Sequence, residues 1–384
     1  MMSSHLYAKL NEQDSEYRSR LITISTHGKS VTMPRRTLSL RGTYSESRAV
    51  LNPLVRGINE VYYLLDEETL NGIDNDKEKM LEFCKRLQAG FLKINCEKEI
   101  SFFVFSYESQ GKKPTPNQIA YLANLVTGSI YNDIIIPPII HGISGKDYVE
   151  YLEGFMESLD SYVRNPRIMG SIPHVAHIDL IDICNFYAKN NVTFFALDCD
   201  GKNPIDMYPN VNEVYGTIRN IEKELGGEEC CCLHGINVRR PRGLLKKGFA
   251  PAKDILVYAM GFNSFCSSHL KPRLTPDLWE KMPPPEFAWV FNRNDYGYYP
   301  TNTRDVESFP KETDAAVTID DILSSSISKI KEKAKLFNTE QQGLEARYIQ
   351  KRLMEQTLPK YLEGKKRAND ILKQVKKRMP IVCL

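Results

Sequence analysis

The chain has 384 residues, 42% of them hydrophobic, which suffices for one large core or two modest ones and excludes a small module held by disulfides or a metal. Lys and Arg number 51 against 48 Asp and Glu, a net charge of +3 that is too balanced to mark a nucleic-acid binder by itself. No apolar run reaches the roughly 18 residues of a membrane helix, the N-terminus lacks a secretory pattern, and the nine cysteines are odd in number with no paired CxxC units, so a cytoplasmic protein without membrane contact is expected.

In chain order, Leu21–Ser25 and Lys29–Met33 flank His27-Gly28 and read as a small hairpin. Eight apolar or β-branched runs follow, at Thr37–Arg41, Glu60–Leu65, Ile100–Tyr107, Asp133–Ile140, Arg167–Val175, Val192–Cys199, Cys230–Val238 and Ile255–Phe262. Helix-period segments lie between most of them, clearest at Lys77–Phe91, Pro116–Leu125, Lys146–Val163, Leu180–Lys189 and Val211–Leu225. The later runs are nearly continuous in apolar residues, as strands buried on both faces should be. This rhythm predicts an α/β fold, a (β/α)8 TIM-like barrel over 36–310, with a doubly wound open sheet as the rival. The hairpin within 1–35 would cap the barrel's bottom. Pro272–Pro310 reads as an irregular excursion rich in Pro, Asn and Tyr. Residues 311–384 read as a basic helical extension: from Ser326 onward there are 15 basic and 6 acidic residues, net +9, against net −6 for the rest.

The passage from Arg20 to Pro34, containing His27-Gly28 and ending Met33-Pro34, resembles the opening of tRNA-guanine transglycosylases. Pro114-Thr115-Pro116-Asn117-Gln118, followed by Asn132-Asp133-Ile134-Ile135-Ile136, is similar to that family's helix-to-strand passage. The resemblance, which includes relatives acting on DNA, covers roughly Leu21 to Phe262. It implies a nucleic-acid enzyme that exchanges a purine for a 7-deazapurine in RNA or DNA, with nucleic acid and the free base as partners and a possible homo- or hetero-oligomer. Departures accompany it. The family's two catalytic aspartates follow the third and eighth strands; here Glu108 follows the third run, and no carboxylate follows Met260-Gly261-Phe262. Of the family's zinc ligands only Cys266 and His269 remain, and a structural zinc wants four, so neither metal nor other cofactor is expected.

Base exchange at a nucleoside requires one ionised carboxylate facing C1′ and one group that trades a proton with the base. Asp198 and Asp200 close the sixth run, strand alternation sends both to one side, and Gly201 permits a tight turn. They are the expected nucleophile and partner, with Glu108 as an acid/base; the alternative is a solvated turn or helix cap. Tyr107, His141 and His234 are candidates for the base pocket, each weighed against simple packing. His174 and His177 have weak metal spacing, and Cys230, Cys231 and Cys232 read as strand packing, since neighbours face opposite sides. Arg239, Arg240, Arg242, Lys246 and Lys247 follow the seventh run and suit phosphate contacts. The tail cations from Lys365 to Arg378 would add a salt-dependent attraction, and Tyr296, Tyr298 and Tyr299 are weighed between stacking on a base and packing on the barrel. Two further readings stay open: a non-catalytic relative that binds nucleic acid or supports a partner subunit, and an unrelated barrel enzyme acting on a phosphorylated metabolite.

Overall fold

Three antiparallel strands, β1 (Tyr7–Gln13), β2 (Arg20–Thr26) and β3 (Lys29–Met33), form a small sheet in that order. The turn between β2 and β3 places His27 (φ 49°) and Gly28 (φ 76°) consecutively in the left-handed region, which suits the right-handed twist of a tight hairpin. Lys29 Nζ reaches both oxygens of Asp133, at 2.6 and 2.7 Å, and Asp133 also accepts from the Ser101 amide at 2.8 Å. The hairpin is thereby fastened to the parallel strands behind it. The molecule is described here from a computed structural model, at residues 6–40, 50–74, 76–89, 97–128, 132–227, 229–240, 248–270, 287–306, 309 and 315–379.

The remainder is mixed α/β with parallel sheets. After β4 (Arg35–Arg36) and β5 (Leu38–Ser39) come β6 (Ile58–Asp66), β7 (Ile100–Glu108), β8 (Ile139–His141), β9 (Met169–Ile172), β10 (Phe194–Asp198), β11 (Cys232–Val238), β12 (Ala250–Pro251) and β13 (Ser264–Ser267). One parallel sheet has the order β4-β13-β11-β10-β9, the other β5-β6-β7-β8. A single stretch of chain serves an edge of each: Arg36 pairs with Phe265 of β13, and Leu38 with Asn59 of β6. At the other margins Ile135 and Ile168 form a parallel bridge, with the Ile135 amide donating to Arg167 O at 2.7 Å and the Met169 amide to Ile135 O at 2.9 Å.

Each long parallel strand is buried on both faces. Ile58, Ile100, Phe102, Met169, Phe194, Ala196, Cys232 and Ile236 join Ile22, Ile24, Val31 and Met33 of the hairpin in one apolar cluster. The alternate positions, including Val61, Phe103, Phe105, Phe195, Leu197 and Leu233, pack against the helices. Those helices are α1 (Glu67–Asp74), α2 (Lys77–Ala89), α3 (Pro116–Thr127), α4 (Gly145–Asp160), α5 (His177–Lys189) and α6 (Tyr208–Glu224). Local sequence explains their starts. Thr115 and Gln118 form a reciprocal capping box ahead of Pro116 in α3, and the Ser144 side chain accepts from the Asp147 amide at the head of α4.

The eighth expected strand is corrected. Ile255–Met260 is a buried 3-10 helix ended by Gly261 at φ 102°, and the parallel strand is the following Ser264–Ser267. A short apolar run does not distinguish a buried helix from a buried strand.

The C-terminal residues 319–378 form α7 (Ile319–Leu323), the long α8 (Ile327–Met354), α9 (Leu358–Glu363) and α10 (Asn369–Arg378). Helix α8 is tied to the sheets by buried side chains. Gln342 accepts from Arg36 Nε at 2.8 Å, and Gln350 donates to Thr32 O and Pro34 O at 2.9 and 2.8 Å. Between β13 and α7 runs the hairpin β14 (Trp289–Asn292) and β15 (Gly297–Pro300). Tyr296 and Tyr298 there are fully buried, bonded to Glu345 and to Asp254 respectively, and Tyr299 is buried as well, so the packing role holds and base stacking does not. Lys365 is also buried, donating to Arg293 O at 2.6 Å, so the basic extension is not wholly a solvated face. No helix among the described residues is long and apolar enough to cross a membrane.

Candidate functional site

Toward the carboxyl ends of the parallel strands the interior lining changes from apolar to polar. Asp198, the last residue of β10, is fully buried. Its Oδ1 accepts from the Asp200 amide and from Asn237 Nδ2, both at 3.0 Å. Its Oδ2 meets no hydrogen-bond donor among the described residues, and His141 Nε2 stands 3.9 Å away. Burial raises the Asp198 carboxyl above its ordinary value, partly opposed by the charge of His141 and the two hydrogen bonds.

Backbone geometry builds this arrangement. Asp200 (φ 46°) and Gly201 (φ 65°) turn the chain sharply after β10, and the Gly201 amide donates to Asn237 O at 3.1 Å. Asn237 is itself left-handed (φ 54°), at the point where the register between β11 and β13 slips. Asparagine tolerates that conformation better than most residues, and a bulge re-aims a side chain next to a site. Here the Asn237 side chain donates to Asp198 and accepts from the His269 amide at 3.0 Å. It thus joins the ends of β10, β11 and β13.

Beside this group lies a second one. Glu60 of β6 is fully buried between two imidazoles: Oε2 meets His234 Nε2 and Oε1 meets His269 Nε2, each at 2.7 Å. His234 Nδ1 is 2.8 Å from Ser264 Oγ, and Phe102 packs edge-on against its ring. Burial alone would raise the Glu60 carboxyl, but the two imidazole contacts outweigh it and hold the group at about 2. His269 moves the other way. Burial would lower it, yet Cys266 and Glu60 raise it to about 10. Tyr62 stacks flat on His269 with ring centroids 4.8 Å apart, and burial together with the charge of Asp198 pushes its phenol up to about 12. Tyr62 therefore links the two groups.

The expected site residues divide as follows. Asp198 and His141 come together, with His141 Nε2 also 2.5 Å from Ser106 Oγ. Asp200 lies beyond the strand in a left-handed turn, where its backbone amide bonds Asp198 Oδ1 and its charge adds to the raising of the Asp198 carboxyl. Glu108 pairs with His141 in strand register but its side chain is exposed. Tyr107 faces outward into the helix-packed cluster, with its hydroxyl 3.5 Å from Gln118 Nε2. His234 is closed to a base, because both ring nitrogens are engaged. Arg239 and Arg240 stand exposed at the end of β11, while Arg242, Lys246 and Lys247 lie outside the described residues.

The sequence alone does not point to Glu60, Tyr62, Ser106 or Asn237, and it offers Cys266 and His269 only as remnants of the resembled family's zinc set. One signal was available: an acid inside Ile58-Asn59-Glu60-Val61-Tyr62, a strand buried on both faces, must be paired. A surface hollow between α4 and α5, lined by Lys146, Glu153, Glu157, Asp182 and Lys189, shares no residue with the polar groups. No protein-family model matches the chain, and no curated protein matches it.

Proposed function

We propose that the protein is a nucleic-acid guanine transglycosylase-like enzyme, which exchanges a purine for a 7-deazapurine in RNA or DNA by double displacement. The observation that carries this reading is Asp198: a fully buried carboxylate at a strand's carboxyl end, with one oxygen fixed and the other unbonded 3.9 Å from an imidazole. Other buried acceptors, such as Asn59 Oδ1 and Asp254 Oδ1, also lack a donor, but Asp198 alone of these three closes a parallel strand with an imidazole 3.9 Å from its free oxygen. Holding Oδ1 through Asn237 and the Asp200 amide leaves Oδ2 as the attacking atom. Two supports concern the fold: the stretch Arg35–Ser39 serves both sheets, and the Ile135–Ile168 bridge joins their other margins. We read these pairings as one closed (β/α)8 ring, whose carboxyl-end mouth is where such barrels gather chemistry.

In the first half-reaction Asp198 Oδ2 attacks C1′, the C1′–N9 bond breaks, and the departing purine takes a proton from the His141 imidazolium. In the second, the incoming 7-deazapurine gives its ring N–H proton to His141 as that nitrogen attacks C1′, and the Asp198 ester bond breaks. His141 takes the role that Glu108 has in the sequence reading, since its Nε2 lies near the carboxylate and Glu108 faces solvent. Arg239 and Arg240, exposed at the end of β11, are the described cations suited to phosphate.

The test is incorporation of labelled guanine or 7-deazaguanine into tRNA and into duplex DNA. The wild-type chain is expected to incorporate label into one of them, and Asp198→Asn to lose the rate by a factor of roughly 10^4 to 10^6. Incorporation by Asp198→Asn at the wild-type rate refutes the assignment.

A further inference from the structure

Cys266 and His269 sit at the end of β13 and just after it, and Glu60 comes from β6, two strands that both flank the Arg35–Ser39 stretch. The Cys266 sulfur, a ring nitrogen of His269 and a carboxylate oxygen of Glu60 all lie within 4.8 Å of one another. Glu60 and Cys266 are buried, and the His269 side chain is 13% exposed, which leaves one side open for an ion to enter. From these positions we infer that Glu60, Cys266 and His269 form a binding site for a thiophilic divalent cation of the zinc class.

The donor set selects the ion. A thiolate with an imidazole suits zinc, and disfavours magnesium or calcium, which take oxygen ligands. Donors around a tetrahedral zinc lie about 3.3 to 3.8 Å apart, so small side-chain rotations close the present triangle. Three protein ligands leave a fourth position, the pattern of zinc sites that accept water or substrate. The outer support is also present. His234 Nε2 holds the other oxygen of Glu60 at 2.7 Å, and Ser264 Oγ is 2.8 Å from His234 Nδ1. Such partners orient a ligating carboxylate. On binding, the thiol proton and the proton now shared by His269 and Glu60 leave to solvent, and the metal takes their electron pairs. None of this depends on the base-exchange reading, because the assay reads metal and not turnover.

The experiment titrates untagged, metal-stripped protein with Co2+ and then Zn2+. One equivalent of Co2+ should give near-ultraviolet thiolate-to-cobalt absorption that Zn2+ abolishes. Cys266→Ser should lose that absorption, and His234→Gln should weaken zinc affinity by about 10- to 100-fold. X-ray absorption of the zinc-loaded wild type needs no variant and should show one sulfur at about 2.3 Å with lighter ligands. No cobalt absorption in the wild type, an unchanged spectrum in a folded Cys266→Ser, or a zinc shell with no sulfur or several sulfurs would each overturn the site.

Discussion

The two ends of the same parallel strands are built to different rules. At the amino ends Ile58, Ile100, Met169, Phe194 and Cys232 join the apolar face of the β2–β3 hairpin in one packed cluster. Beyond that layer the interior positions include Glu60, His234 and Ser264, bonded to one another within their strands, and nearer the carboxyl ends Ser106 bonded to His141, with Asp198 held by Asn237. Burying polar groups costs free energy unless each is paired. The polar end is also divided within itself: Glu60 is satisfied on both oxygens, whereas Asp198 is satisfied on one. Other buried acceptors also keep an unpaired atom, Asn59 Oδ1 and Asp254 Oδ1 among them, so what distinguishes Asp198 is its place at a strand's carboxyl end with an imidazole near the free oxygen.

Five variants break or sharpen this contrast. Asp198→Asn has the largest expected effect, on exchange rate and not on stability. Because burial raises the carboxyl, holding it ionised costs folding stability that the neutral amide does not, so Asp198→Asn should keep or raise the melting temperature while activity disappears. His141→Gln should follow, with a loss of about 10^2 to 10^4 in rate at unchanged melting temperature. Glu60→Gln should instead cost about 3–5 kcal/mol in denaturant unfolding, since it strands two buried imidazoles.

For the metal-free chain, pH gives that third variant a signature. The lowered Glu60 contributes stability that is fully present above its ordinary value of 4.5 and is lost as pH falls toward about 2. The raised His269 contributes stability that is fully present below 6.5 and is lost as pH rises through about 10. The gap in melting temperature between wild type and Glu60→Gln should therefore be widest between about pH 4.5 and 6.5. At the apolar end, Ile24→Ala should cost about 2–5 kcal/mol with the activity per folded molecule unchanged. The smallest effect belongs to the surface. Reversing Arg239 and Arg240 should weaken nucleic-acid binding and lower the slope of log affinity against log salt by about one per lost phosphate contact.

The apolar end was legible in the sequence, and the polar end only in part. Seven of the eight expected strand runs overlap residues in parallel pairing, because Val, Ile and Phe runs between capped amphipathic helices carry a clear signal. The eighth strand is not legible because polar residues stand where an apolar run would mark it. Ser264-Phe265-Cys266-Ser267 places Ser264 beside His234 and Cys266 near Glu60, so the strand lacks an apolar signature, and the apolar Ile255–Met260 just before it is a buried 3-10 turn. Asp198 was found because it closes an apolar run and precedes glycine. Strand alternation does not extend to Asp200, which lies past the strand in a left-handed turn and meets Asp198 through its amide. Glu60 and His269 are 209 residues apart, and only the folded sheet order brings them together.

The central claim is that Asp198 forms the bond to the sugar. Incubating the protein with tRNA or duplex DNA, quenching in acid, and mapping any covalent protein–nucleic acid adduct by mass spectrometry tests it most directly. The account predicts a sugar-linked peptide carrying Asp198, discharged when guanine or 7-deazaguanine is added before the quench. An adduct on another residue, or none while exchange proceeds, would contradict it.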